Sequence, residues 1–188
     1  MNLVFKMDER YTRTAMLLHW LVALLLVGQF AFGWYLQDIA RGVPARGYFV
    51  NLHKSTGLLI GLLIVVRLGW RSTHTPPPLP DSVPPWQQQA ASASHYLLYV
   101  LMLVMPLSGY LASNFSRFGI NFFNIFKLAP WGIDSKLLYA FFNQTHIVSS
   151  WLLLALVLVH VLAALKHLLV DHDTVFSRMF PKRLPVSQ

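Results

Sequence analysis

Four stretches of this chain are too long and too apolar for the elements of an ordinary soluble core. Ala15–Leu36 holds 22 residues without Asp, Glu, Lys or Arg. Leu52–Trp70 is apolar from Ser55 to Val66, and Lys54 and Arg67 stand at its flanks, where long cationic side chains reach a polar boundary. Ala93–Phe115 again lacks all four charged types. Leu137–Leu165 exceeds one crossing, so its helix is expected from near Thr145 to about Val170. A helix crosses a bilayer with about 20 predominantly apolar residues. The expected fold is all-α, an integral membrane four-helix bundle. Its spans are 15–36, 52–70, 93–115 and 145–170, within one membrane domain over 1–188.

The connections differ in character. Gln37–Asn51 carries Arg41, Gly42, Pro44 and Gly47, which are expected to break any helix. Ser72–Ser92 contains Thr75-Pro76-Pro77-Pro78-Leu79-Pro80 and then Pro84-Pro85, an extended polyproline strap. Ser116–Gln144 is rich in aromatic residues and is expected at the membrane interface, covering one end of the bundle. The first apolar run exceeds the 7–15 residues of a signal-peptide core and is expected to be retained. With four helices, both termini share a side. Nine Lys and Arg fall there, against six on the other: Arg41, Arg46, Lys54, Arg117, Lys127 and Lys136. The positive-inside rule then puts the termini in the cytoplasm.

Ionisable residues inside a bilayer are costly and mark function. His19 and His53 lie inside the first two runs, and His146 and His160 both belong to the last. Alternating helix directions put His19 level with His160 near the cytoplasm, and His53 level with His146 near the outside. The 14 residues from His146 to His160 rise about 21 Å and return to within about 40° of one face. One helix can therefore offer two imidazoles to the bundle interior at two depths. Two pairs, His19/His160 and His53/His146, are what two bis-histidine haems require. The chain has no cysteine, which excludes thiolate-held haem, iron–sulfur clusters and covalent c-type attachment. The cofactors expected are two haem b groups, with the four histidines as ligands of the haem iron.

Other candidates carry less. His95 opens the third span, and His167 follows His160 on nearly the same face; each suits a haem propionate, a quinone or the interface. Met102 and Met105 stand at packing spacing. Gly57, four residues after His53, admits either a porphyrin plane or a neighbouring helix, and Gly57 with Gly61 has the small-xxx-small spacing of close packing. His74 and His172 sit in polar segments. The net charge of +8 comes from residues at the ends of apolar runs, which suits lipid headgroups and excludes a nucleic-acid partner.

Several of these segments together resemble the bacterial di-haem cytochrome b561 family of four-helix, quinone-linked membrane cytochromes. They are Leu18-His19-Trp20, Leu52-His53-Lys54-Ser55-Thr56-Gly57 with Val66-Arg67, the proline strap and Pro106-Leu107-Ser108-Gly109-Tyr110. His146, His160 and Leu165-Lys166-His167 through Asp171-His172-Asp173 and Arg178-Met179 complete the set. The resemblance implies that His19, His53, His146 and His160 hold two b haems, and that His95 and His167 lie on a quinone or propionate side. The function it implies is that of an oxidoreductase or respiratory electron carrier in the bacterial inner membrane. Single electrons would pass between an external donor, either an anion such as superoxide or a redox protein, and ubiquinone. The alternative is a haem-bearing anchor for a soluble partner such as a hydrogenase or formate dehydrogenase.

Overall fold

A computed structural model describes residues 10–80 and 82–180. Lys6, Lys182 and Arg183, counted in the topology, lie outside them. Four long helices dominate: α1 (Arg13–Asp38), α2 (Pro44–Thr73), α3 (Pro85–Asn114) and α4 (Lys136–Leu169). All four are long and apolar enough to cross a membrane. Their outward faces carry exposed large side chains such as Leu24, Leu62, Leu107 and Leu162. Lipid accommodates such surfaces, whereas monomeric soluble proteins rarely show them over this extent.

Three helices start well before hydropathy predicts, each for a capping reason. Pro44 does not break a helix but occupies the first turn of α2, where its fixed φ is already helical and its missing N–H is no loss. Gly47 is carried inside that helix. Pro85 begins α3 in the same way, leaving the extended strap to the residues before it. Ser135 accepts a hydrogen bond from the Leu138 amide at 3.4 Å and starts α4 well before Thr145. His95 consequently lies inside α3 rather than at its opening.

The all-α expectation needs one amendment, a small hairpin of β1 (Ile120–Phe122) and β2 (Phe126–Leu128) in antiparallel register. Phe123 and Asn124 both take positive φ, and the Ile125 amide closes on the Phe122 carbonyl at 2.8 Å. That is the tight, primed turn that matches strand twist. The hairpin is fastened to α2. The Asn121 amide donates to Asn51 Oδ1 at 2.7 Å, the Phe123 amide to Ser55 Oγ at 3.0 Å, and Lys54 Nζ to the Gly119 carbonyl at 3.2 Å. Gly119 has φ +60, and a Cβ there would stand 2.6 Å from the Leu128 carbonyl. The aromatic segment thus covers the α2 N-terminal end, leaving Phe118 and Ile125 exposed.

Packing along the bundle is uneven. α1 lies along α2, α2 along α3, and α3 along α4, but α4 has no comparable packing on α1 or α2. Rings bridge that seam instead, as with Trp34 and Trp151 at 6.1 Å. The buried cluster of Val22, Leu26, Ile60, Ile64, Leu98, Met102, Met105 and Leu153 fills the middle of the bundle. Met102 and Met105 are core residues, as their spacing suggests. Leu153, fully buried, stands seven residues from both His146 and His160, so the apolar core separates two histidine levels.

At the end bearing both described termini, a 3₁₀ turn (Phe176–Met179) acts as a tie. Trp20 Nε1 donates to the Met179 carbonyl at 2.8 Å, and the Tyr11 amide to the Arg178 carbonyl at 3.4 Å. The buried Arg178 guanidinium donates to the carbonyl of Pro78 in the strap.

Candidate haem sites

His19, His53, His146 and His160 meet in two cross-bundle pairs. The rings of His19 on α1 and His160 on α4 have centroids 6.3 Å apart. Those of His53 on α2 and His146 on α4 are 6.2 Å apart. Both pairs span the seam where helices do not pack, and α4 supplies one imidazole to each level. His95 joins the first level, with its ring 5.4 Å from His160.

Each ring is held differently. His146 Nδ1 lies 2.7 Å from the Met105 carbonyl on α3. A carbonyl only accepts, so Nδ1 carries the proton and Nε2 keeps its lone pair. The contact depends on Gly109, where a Cβ would sit 2.9 Å from His146 Nδ1. His53 is positioned through its backbone, since buried Gln29 on α1 donates from Nε2 to the His53 carbonyl at 2.7 Å. The His53 ring faces Gly33, and its Nδ1 is buried without a partner among the described residues. His19 Nδ1 meets Arg67, whose guanidinium also donates to the Ala15 carbonyl at 2.9 Å.

A cavity of about 660 Å³ adjoins the His53/His146 level, within the range of small-molecule and cofactor sites. Gly57 and Gly109 line it, and Lys54, Arg117 and Lys136 stand among its polar residues. Gly57 thus borders the cavity, while its missing side chain also makes room for Gln29 Nε2, 3.5 Å from where a Cβ would be. Gly61 packs on Pro106 of α3, an ordinary helix contact.

His167 engages carboxylates beyond the end of α4. Its Nδ1 lies 2.6 Å from Asp173 Oδ2 and 3.3 Å from Asp171 Oδ2. Lys166 also binds Asp171, and this bond holds the Asp171 carboxyl below the usual carboxylate range. His74 is stacked on Trp70 and exposed, and His172 is exposed. Hydropathy alone gives no reason to single out Gly33 or the Met105 carbonyl. Gln29 did leave a signal, as a polar amide inside the first apolar run.

The family described as prokaryotic cytochrome b561 matches residues 10–182. Cytochrome b561 homolog 2 of Escherichia coli K12 is 33% identical over 175 residues, covering 93% of each chain. Cytochrome b561 homolog 1 of the same strain is 26% identical over 93% of this chain and 99% of its own. "Probable superoxide oxidase CybB" of Yersinia pestis is 25% identical over 94% and 99% respectively. The chain belongs to the prokaryotic cytochrome b561 family, membrane cytochromes for which haem b and electron transport are implied.

Proposed function

We propose that this protein is an inner-membrane electron carrier in which His19 with His160, and His53 with His146, each hold one b haem. Single electrons then pass between a donor on the external face and the ubiquinone pool, with both termini cytoplasmic. The observation that carries this reading is the spacing of the rings. An imidazole nitrogen sits about 2 Å from a metal it binds, so two imidazoles on opposite sides of one ion keep their centroids about 6 Å apart. The pairs at 6.3 and 6.2 Å suit this geometry. His95, at 5.4 Å from His160, is too near to share an ion with it in that way.

Three further features fit a flat group at each level. α4 packs little on α1 or α2, and the seam between them is crossed by side-chain rings, the two histidine pairs among them. His146 presents Nε2 with its lone pair free because its Nδ1–H is donated to the Met105 carbonyl, the arrangement metal-bound histidines ordinarily have. His53 Nδ1 is buried with no hydrogen-bond partner among the described residues, so the cost of burying it is not offset there. Held by these histidine pairs, haem would supply one-electron exchange in place of oxygen chemistry.

The chain's own residues set the two ends. Toward the outside, Lys54 and Lys136 border the cavity and favour approach of an anion, while Arg117 beside them is paired with Asp134. Superoxide is the donor proposed, since one relative bears that activity in its name. Toward the cytoplasm, His95 stands on the quinone or propionate side of the His19/His160 level. His167, already bound to Asp173, closes the helix end.

The test is a reduced-minus-oxidised visible spectrum of the purified chain with haem counted per polypeptide. Two low-spin b haems per chain are expected, and His160→Ala removes one while leaving the other. A colourless protein from haem-replete cells, or a His160→Ala variant with two normal haems, overturns the reading.

A further inference from the structure

Arg67 stands in an arrangement that is incomplete as it is. One guanidinium nitrogen donates to the Ala15 carbonyl, and another lies 3.3 Å from His19 Nδ1. A guanidinium can only donate, so that contact requires His19 Nδ1 to be the acceptor. A neutral His19 then carries its proton on Nε2. A ring that binds iron through Nε2 keeps its proton on Nδ1, where it would face the N–H of Arg67 donor to donor. The two arrangements exclude each other. Arg67 must release His19 when that ring becomes a ligand, and its freed N–H groups then need an acceptor.

The surroundings say which kind. Arg71 lies one turn further along α2, on the same face, with the Tyr99 ring at 5.7 Å as its recorded side-chain contact. Two like charges at this spacing repel. Among the described residues no carboxylate forms an ion pair with either. Both guanidiniums lie within electrostatic reach of His95, and Arg67 also of His19 and His160. Two partly buried cations therefore stand beside the inner imidazoles without an anion, an expensive arrangement in a poorly solvated site. An anionic partner is called for, and one borne on a group held by the histidines would lie within reach of both.

Resting on the haem reading above, we propose that Arg67 and Arg71 take the two propionate carboxylates of the haem between His19 and His160, Arg67 releasing the His19 ring to do so. Arginine suits this task because its planar fork pairs with carboxylate oxygens two at a time. Ala15 keeps Arg67 close to α1 while its other nitrogens turn. Arg67 is thereby a positioning residue as well as an anion partner, since its release lets His19 adopt the tautomer a ligand needs.

The experiment loads the full-length chain, purified from haem-deficient cells, with haem or with haem dimethyl ester, which lacks both negative charges. Spectra of His160→Ala and His53→Ala variants separate the levels, since each retains one. In His53→Ala, where only the inner level remains, haem should bind at least about tenfold more tightly than the ester, as a charge-assisted bond would give. The preference should vanish when Arg67→Gln and Arg71→Gln are added, and Arg67→Lys should restore part of it. In His160→Ala the same two substitutions should change nothing. Equal affinity for haem and ester in His53→Ala overturns the proposal without any arginine variant having to fold. So does a preference that survives loss of both arginines. A chain that takes up neither compound at either level overturns the haem reading itself, and this inference with it.

Discussion

The imidazole of His146 donates from Nδ1 to the Met105 carbonyl at 2.7 Å, across a helix contact that only glycine at 109 permits. The bond joins α4 to α3 and fixes which nitrogen of His146 faces the seam. It also places the demand for a small residue on a different helix from the histidine. A Cβ at position 109 would lie 2.9 Å from Nδ1 and 3.1 Å from Cε1, so the ring would have to move. Gly109→Ala should therefore turn the ring and weaken the outer level while sparing the inner one. Haem per chain is expected to fall from about two toward one on the proposed stoichiometry, with the remaining spectrum matching that of His146→Ala. Full occupancy with an unchanged spectrum would show that the ring does not depend on this approach.

Gln29 ties α1 to α2 at the carbonyl of His53. A buried amide without water has strong reason to keep such a bond, though measured values inside membranes are modest, about 0.6 kcal/mol on average. Gln29→Leu keeps similar bulk and removes the donor. We expect a stability loss of about 1 kcal/mol, and, on the haem reading proposed above, the haem at the His53/His146 level should dissociate at a lower temperature than the other. Absorbance followed during heating separates the two, and simultaneous loss at an unchanged temperature would contradict a local role.

The two histidine levels were legible because a membrane turns sequence position into depth. A 14-residue spacing on one helix, with partners on α1 and α2 at matching heights, needs only helix geometry and alternating direction. Helix starts were harder, since Pro44 and Pro85 carry the same side chain whether they stop a helix or begin one. That ambiguity displaced His95 from the interior of α3 to its start. The hairpin was not legible at all. Its three-residue strands owe their place to Asn51 and Ser55, about 70 residues earlier, and no local pattern announces such a partnership. Arg67 read as a flanking cation, because hydropathy registers charge but not which ring the charge reaches.

Trp20 holds the 3₁₀ turn through the Met179 carbonyl, and its ring also packs on Phe180 at 5.0 Å. Trp20→Phe preserves most of the packing and removes the N–H. Arg178 lies buried beneath this tie, so trypsin should cut after it slowly in the folded protein. Cleavage should accelerate in Trp20→Phe, because local opening of a terminal segment sets access there. Mass spectrometry of timed digests identifies the site, and equal rates in both proteins would show that the strap and Arg178 alone secure the turn.

The face proposed as external offers fewer free cations than its composition suggests, and this decides how a charged donor would be drawn in. Arg46 donates to the Leu36 and Ile39 carbonyls, Lys54 to Gly119, and Arg117 is paired with Asp134. Lys136 stands on the cavity wall, its side chain without a hydrogen bond or ion pair among the described residues. Attraction by such groups extends about 30 Å at 0.01 M salt and about 3 Å at 1 M. If superoxide enters here, its rate of haem reduction should fall several-fold over about that salt range, and Lys136→Gln should lower the low-salt rate while flattening the dependence. A neutral quinol donating from the other side should show neither effect. Stopped-flow absorbance with superoxide supplied as a pulse measures both rates. A salt-independent reduction by superoxide, matched in Lys136→Gln, would mean that these cations serve lipid headgroups and not a donor.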